Sequence, residues 1–143
     1  MTTQNKRVAI VTGGGSGLGL AIAEKFTQAG IETIIVGRDQ EKLKKAKGQL
    51  GDLCHTIVCD VSDLSSVPAF VSDVLKKFGQ IDILVNNAGI NGPEKKSAEI
   101  TTKGWDEVLD INLKGCFMCS REAIKKMLSQ KWHRERRRRL FNY

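Results

Sequence analysis

The stretch TGGGSGLG, Thr12 to Gly19, combines residue types that bind phosphate groups. It lies between a short apolar run, residues 8–11, and a segment whose apolar residues have helical spacing. Glycines let the backbone turn sharply and let a phosphate approach main-chain N–H groups. The start of the following helix adds the positive end of its dipole. The stretch therefore predicts a dinucleotide phosphate site, and an ordinary turn is the alternative.

Predicted strands and helices alternate along the chain around this stretch, which is typical of a parallel sheet built from right-handed βαβ units. The fold class is therefore α/β, a Rossmann-like doubly wound parallel sheet truncated after about four strands. Asp39 is predicted to cap the second helix, and Ser62 or Asp63 the third. The predicted strands are residues 8–11, 33–36, 56–59 and 81–85, and the predicted helices are residues 18–29, 40–50, about 62–78, a short helix near 105–109 and a long one over 112–128.

The spacing of the glycines is informative, because the pattern is TGxxxGxG rather than GxGxxG. Together with Asp60, the sequence NNAG at residues 86–89, and Asn112, it resembles the short-chain dehydrogenase/reductase family. The resemblance covers residues 7 to about 128, with the elements in the family's order. It implies a nicotinamide dinucleotide as cofactor and an alcohol or carbonyl compound as the small-molecule substrate.

The resemblance also implies roles for individual residues. The three glycines of the pattern would bind the pyrophosphate, Asp60 would accept a hydrogen bond from the adenine amino group, and Val61 would lie beside the ring. A helix cap is the alternative role of Asp60. The cofactor-binding residues expected in full are Thr12, Gly13, Ser16, Gly17, Leu18, Gly19, Arg38, Asp60, Val61, Asn87, Ala88 and Gly89.

The end of the second predicted strand bears on the choice between NAD(H) and NADP(H). NAD-selective enzymes place an acid there, and this chain has Gly37 followed by Arg38. A guanidinium suits a 2′-phosphate in charge and in geometry. Asp39 opposes this reading, and Ser16 is neutral where many NADP-dependent relatives carry a second basic residue. The sequence favours NADP(H) over NAD(H).

Members of this family use a Tyr, a Lys four residues after it, a Ser and an Asn for catalysis. Asn112 matches the Asn, with a plain helix residue as the alternative. The sole tyrosine is Tyr143, the last residue, and Ser120 and Ser129 lie in helical sequence. We therefore expect the cofactor half of an oxidoreductase, inactive alone and without a metal site. The alternative is a non-catalytic nucleotide- or partner-binding module.

Residues 131–143 differ in composition from the rest of the chain, with six basic residues against one acidic residue. We interpret residues 1–130 as an incomplete dinucleotide-binding domain and residues 131–143 as a basic tail unrelated to the family pattern. Three origins remain open: an abnormal end of translation, a basic arm for nucleic acid or an import receptor, and a solvated helix end. Nucleic-acid binding is not the favoured reading.

A chain of 143 residues is long enough for one domain with a core. No apolar run approaches the roughly 20 residues of a membrane span, and the polar N-terminus lacks a signal-peptide core, so a cytoplasmic location without membrane contact is expected.

The four cysteines are expected to be reduced, buried thiols rather than a redox pair or a metal site; they are Cys54, Cys59, Cys116 and Cys119. With no fifth strand, Phe117, Met118 and Met127 are expected to be exposed, and the family's homo-oligomer is not expected for this chain.

Overall fold

The computed structural model describes residues 6–130, which form a single parallel sheet with helices on both faces. The elements are, in order, β1 (Val8–Thr12), α1 (Gly17–Gln28), β2 (Glu32–Gly37), α2 (Gln40–Leu50), β3 (Cys54–Val58), α3 (Ser66–Phe78), β4 (Ile83–Val85), a 3-10 helix (Ser97–Glu99), α4 (Thr102–Leu109), a π-helix (Asp110–Lys114) and α5 (Gly115–Ser129). The predicted basic tail, residues 131–143, lies outside the described residues, as do residues 1–5.

The strand order is β3-β2-β1-β4, and every pair is parallel. In this order Ile10 of β1 lies between Ile34 of β2 and Leu84 of β4. This arrangement confirms the predicted Rossmann-like α/β fold. Because β1 is central, its carboxyl end and the loops that follow its neighbours lie at the same edge of the sheet.

Alternate side chains of β1 and β2 enter two separate cores. Val8, Ile10, Ile34 and Val36 pack on one face against α3 and α5. Val11 and Ile35 pack on the other face against α1 and α2. Strands with both faces buried are apolar throughout, as predicted. β3 differs, because it lies at the edge of the described sheet: only Cys54 is buried, and Thr56 and Val58 are exposed.

The fourth strand is shorter than predicted, since Ile81 and Asp82 precede it. The backbone N–H of Ile81 donates to Oε1 of Gln130 at 2.8 Å, and the Ile81 carbonyl accepts from Nε2 of the same side chain at 3.0 Å. Oδ2 of Asp82 accepts from the backbone N–H of Val8 at 2.8 Å. Side-chain amide and carboxylate groups therefore replace part of the strand pairing at this end.

Two predicted helix starts have different outcomes. Asp39 caps α2 as predicted, because its Oδ1 accepts from the backbone N–H groups of Glu41 at 3.0 Å and Lys42 at 3.1 Å. The prediction that Ser62 or Asp63 caps α3 is wrong, because that helix begins at Ser66. Asp63 instead accepts hydrogen bonds from the Ser66 and Ser65 hydroxyls and the Ser65 backbone, and these bonds lower the pKa of Asp63 to about 2.

The expected exposure of α5 is correct at one residue of three. The Phe117 side chain is 60% exposed, whereas Met118 is only 2% exposed and packs in the core with α3. Met127 is partly buried against the same core. The prediction is wrong for Met118 because, among the described residues, α3 covers that face of α5.

The cysteines are all free, but they are not all buried. Cys54, Cys59 and Cys119 are buried as expected, and Cys116 is exposed, which corrects the prediction for that residue. Burial raises the pKa of Cys119 to about 12 and that of Cys54 to about 11.

Over residues 6–130, no three His, Cys, Asp or Glu side chains are grouped so that they could hold a metal ion. Every helix in that part of the chain is too short or too polar to cross a membrane.

Candidate functional site

The candidate site lies at the carboxyl end of β1, where the chain connections diverge. From β1 the chain leads through α1 to β2 on one side, while β4 pairs with β1 on the other side. In open α/β sheets this switch point forms a crevice in which ligands bind. The glycine stretch after β1, the Gly37–Arg38 segment after β2 and the Asn86–Gly89 segment after β4 meet there.

The glycine stretch packs directly against the segment after β4, which leaves no room for side chains. Gly13 has a φ of +65°, and a Cβ there would lie 3.0 Å from the Ala88 Cα. A Cβ on Gly19 would lie 2.4 Å from the Gly13 carbonyl oxygen and 2.4 Å from Nδ2 of Asn87. The backbone therefore forms a close-fitting turn that leads into α1. Such a turn lets phosphate oxygens approach main-chain N–H groups.

The outer side of this turn is open to solvent. Ser16, Gly17 and Leu18 are exposed, and Leu18 retains 71% of its accessible surface. The buried residues of α1 are Gly19 and Ala23, so Leu18 lies outside the core. Leu18 is exposed, but it does not line the inner or the outer cavity described below.

Thr12 joins the glycine stretch to the segment after β4. Its hydroxyl oxygen accepts from the backbone N–H groups of Asn87 and Ala88, each at 3.0 Å, and its O–H donates to the Val85 carbonyl at 3.3 Å. In return, Nδ2 of Asn87 donates to the carbonyls of Thr12 at 3.2 Å and Gly13 at 3.1 Å. Residues about 75 positions apart are thus held together by one set of hydrogen bonds.

An inner cavity of about 120 Å³ lies next to this junction. Asp60 and Val61 line it, as the resemblance implies for the adenine end of the site. Oδ1 of Asp60 accepts from the backbone N–H of Ser62 at 2.9 Å and from its hydroxyl at 2.7 Å. Asp60 therefore forms a turn and also borders the cavity, but it does not cap α3. The full lining is Gly13, Val36, Gly37, Arg38, Cys59, Asp60, Val61, Ala88, Gly89, Ile90 and Ile111.

An outer cavity of about 170 Å³ adjoins the inner one, and Gly13, Gly37 and Arg38 line both. Its charged residues are Arg38, Asp39 and Lys42. The sequence did not indicate Lys42, Leu43 or Gly15 as site residues. The signal for Lys42 was its position four residues after Arg38, in the first turn of a helix whose start was predicted correctly. The full lining is Gly13, Gly15, Ser16, Gly37, Arg38, Asp39, Lys42 and Leu43.

Asn112 lies in the π-helix and hydrogen-bonds to the loop after β4. Its Oδ1 accepts from the backbone N–H of Ile90 at 2.8 Å, and its Nδ2 donates to the Ile90 carbonyl at 2.8 Å. The side chain therefore positions Ile90, which lines the inner cavity. Its expected catalytic role stays a prediction.

We expect Asn112→Leu to free the loop without unfolding the chain. The substitution removes two exposed hydrogen bonds, a loss of about 1–2 kcal/mol in the free energy of unfolding. Hydrogen exchange of the Ile90 amide should accelerate by about tenfold or more, since its acceptor is gone. Asn86→Leu is the matched control, because Nδ2 of Asn86 donates to the Ser120 hydroxyl and not to Ile90. Equal exchange at Ile90 in both variants would contradict the assignment.

A wider, open cavity of about 550 Å³ lies beyond Ile90, between the loop after β4 and α4. Its lining combines apolar, amide and charged groups and includes Asn91, Lys95, Lys103 and Glu107. Ile90 lines both this cavity and the inner one, so the two are neighbours. A ligand in the inner cavity and a second small molecule in the wider cavity would therefore lie side by side.

Comparison with known proteins identifies a family of oxidoreductases to which this chain is similar. The family model for short chain dehydrogenases matches residues 7–134. The chain is 36% identical over 126 residues to 3beta-hydroxysteroid dehydrogenase from Mediterraneibacter gnavus, covering 86% of this chain and 46% of that protein. It is 40% identical over 126 residues to the granaticin polyketide synthase putative ketoacyl reductase 1 from Streptomyces violaceoruber, covering 85% of this chain and 46% of that protein.

Solved structures agree with the sequence comparisons. A variant of actinorhodin polyketide ketoreductase crystallised with NADPH superposes with a TM-score of 0.82 at 34% identity, covering 89% of this chain and 49% of that chain. The chain thus spans about half the length of the relatives that it matches. The family model covers most of the sequence, and the fold is that of the solved relative. This chain belongs to the short chain dehydrogenase family.

Proposed function

We propose that this chain binds a nicotinamide dinucleotide and provides the cofactor site of an oxidoreductase that acts on an alcohol/carbonyl pair. The observation that carries the proposal is the junction between the glycine stretch and the segment after β4. There Thr12 bonds to Asn87 and Ala88, and a Cβ on Gly19 would fill the turn. A backbone kept free of side chains at this point is what a pyrophosphate requires.

The two cavities fit the two ends of an adenosine. Asp60 and Val61 in the inner cavity offer a carboxylate and an apolar surface, which suit an amino group and a ring. Arg38 borders both cavities and can donate to a 2′-phosphate in the outer one. The bound cofactor supplies the hydride chemistry. The chain's own residues bind the adenosine and pyrophosphate, and Asn112 fixes the loop between the inner and the wider cavity.

We propose a preference for NADP(H), which the guanidinium of Arg38 at the outer cavity supports. We also propose that a polypeptide of only these 143 residues binds the cofactor without turning it over, because none of them matches the Ser, or the Tyr and Lys, that the family uses for catalysis. Free thiols at the cysteines suit the reducing cytoplasm, which we propose as the location.

Calorimetric titration of the purified chain with NADPH and NADH tests this function. We expect saturable binding of both, tighter for NADPH by about tenfold, which corresponds to ~1.4 kcal/mol. Adding carbonyl substrates should cause no NADPH consumption. A folded chain that binds neither dinucleotide would overturn the proposed function, and substrate-dependent NADPH consumption would overturn the proposed inactivity.

A further inference from the structure

We propose that Lys42 supplies the second cation that selects the 2′-phosphate of NADP(H). This inference rests on the proposed function and extends it to a residue that the family pattern does not mark. The usual second basic position lies in the glycine stretch, where this chain has the neutral Ser16. Lys42 lines the same cavity as Ser16.

The position of Lys42 is fixed by the start of α2. The backbone N–H of Lys42 donates to the Asp39 carboxylate at 3.1 Å, so this residue lies in the first helical turn. Its side chain is exposed and lines the outer cavity together with Arg38. Among the described residues, no carboxylate lies within ion-pair distance of either the Lys42 ammonium or the Arg38 guanidinium. Two cations without a partner in this part of the chain border one small cavity.

The glycine stretch, which is the proposed phosphate site, lies beside this first turn of α2. A Cβ on Gly15 would lie 3.6 Å from the Lys42 Cβ and 3.5 Å from the Leu43 Cδ2, so a single added methyl group would bring the two walls into van der Waals contact at this point. A lysine side chain has a flexible four-carbon stem. From this position in the helix, the stem is long enough for the Lys42 ammonium to reach an anion bound at the glycine stretch.

Asp39 is the residue that opposes a phosphate in this cavity. Its carboxylate lines the cavity, and a carboxylate near the ribose hydroxyls favours NAD(H). However, Oδ1 of Asp39 accepts from two backbone N–H groups at the positive end of α2, which offsets part of its charge. Arg38 alone would only balance Asp39, and Lys42 gives the cavity a net positive charge.

Variants of the full chain test the role of Lys42 by the ratio of the NADPH and NADH dissociation constants. We expect Lys42→Met to weaken NADPH binding by about tenfold and to leave NADH binding within about twofold, because only NADPH carries the 2′-phosphate. Lys42→Arg should keep the preference for NADPH. Lys44→Met is the matched control, since it removes the same charge from the same helix at a residue that does not line the outer cavity.

The ionic-strength dependence gives a second readout. Added salt should reduce the NADPH preference of the unaltered chain more than that of Lys42→Met, because screening weakens ion pairs. An unchanged preference in Lys42→Met, with NADPH still favoured by the unaltered chain, would overturn the inference alone. Equal losses in Lys42→Met and Lys44→Met would also overturn it. An unaltered chain that binds neither dinucleotide would overturn both the inference and the proposed function.

Discussion

Gly19→Ala is expected to weaken NADPH binding by at least about tenfold and to lower the free energy of unfolding by about 1–3 kcal/mol. The added Cβ would lie 2.4 Å from both the Gly13 carbonyl oxygen and Nδ2 of Asn87. Both neighbours are held in place, because Nδ2 of Asn87 donates to the carbonyls of Thr12 and Gly13. The glycine stretch must therefore shift away from the segment after β4. Urea unfolding and NADPH calorimetry measure the two effects.

Gly48→Ala is the matched control for this substitution. Gly48 lies in α2, and a Cβ there would meet nothing within 4 Å. Alanine is favoured over glycine inside a helix, so this variant should gain about 0.5–1 kcal/mol of stability and bind NADPH as the unaltered chain does. The two substitutions are chemically identical and should have opposite signs. If Gly19→Ala raised the free energy of unfolding instead, the turn would have space for a Cβ, and the prediction would be contradicted.

Thr12→Val is expected to lower the free energy of unfolding by about 2–4 kcal/mol. Thr12 is 2% exposed, and valine has nearly the same shape but no hydroxyl oxygen. The backbone N–H groups of Asn87 and Ala88 would lose their acceptor, and each unsatisfied donor is costly when it is shielded from water. NADPH binding should fall as well, because the segment after β4 would no longer be bonded to the glycine stretch. Chemical unfolding and calorimetry check both results.

Two further variants distinguish the effect of losing the Thr12 hydroxyl from the effect of losing any buried hydroxyl. Thr12→Ser keeps the acceptor and should recover most of the stability. Thr33→Val removes an equally buried hydroxyl, which makes a single bond to the Ile31 carbonyl at 2.9 Å, and it should cost less, about 1 kcal/mol. Equal losses at Thr12 and Thr33 would mean that the number of bonded donors is not what matters.

The features that sequence predicted well depend on neighbours along the chain. The turn at Gly13 and the Asp39 cap are encoded within a few residues, because a positive φ and a free helix N-terminus are local requirements. The alternation of apolar runs was enough for the parallel sheet, since a strand buried on both faces needs apolar residues throughout. The start of α3 was predicted wrongly for a local reason as well: Asp60, Asp63 and three serines offer several competing caps.

The features that sequence missed depend on how distant elements pack. Lys42 borders the outer cavity because the start of α2 lies beside the glycine stretch near Gly15. Met118 is buried because α3 covers one face of α5, which the spacing of apolar residues in α5 does not specify. Ile81 is excluded from β4 because the Gln130 side chain takes both of its backbone groups. Each of these outcomes depends on a contact between segments that are distant in sequence. The spacing of residues within one segment does not predict such a contact.

The bonds from Thr12 to residues 87 and 88 also have a consequence for the order of folding. The oxygen of Thr12 meets its donors across a sequence separation of 75–76 residues, and the central strand β1 meets β4 across a similar distance. Contacts of such high contact order form only after the entropy of closing a long loop has been lost, and they are slow for that reason. During synthesis, the glycine stretch emerges early but stays without its partner until residue 88 has left the ribosome. The phosphate-binding turn is therefore completed late, and acquisition of dinucleotide binding should coincide with the slowest phase of refolding.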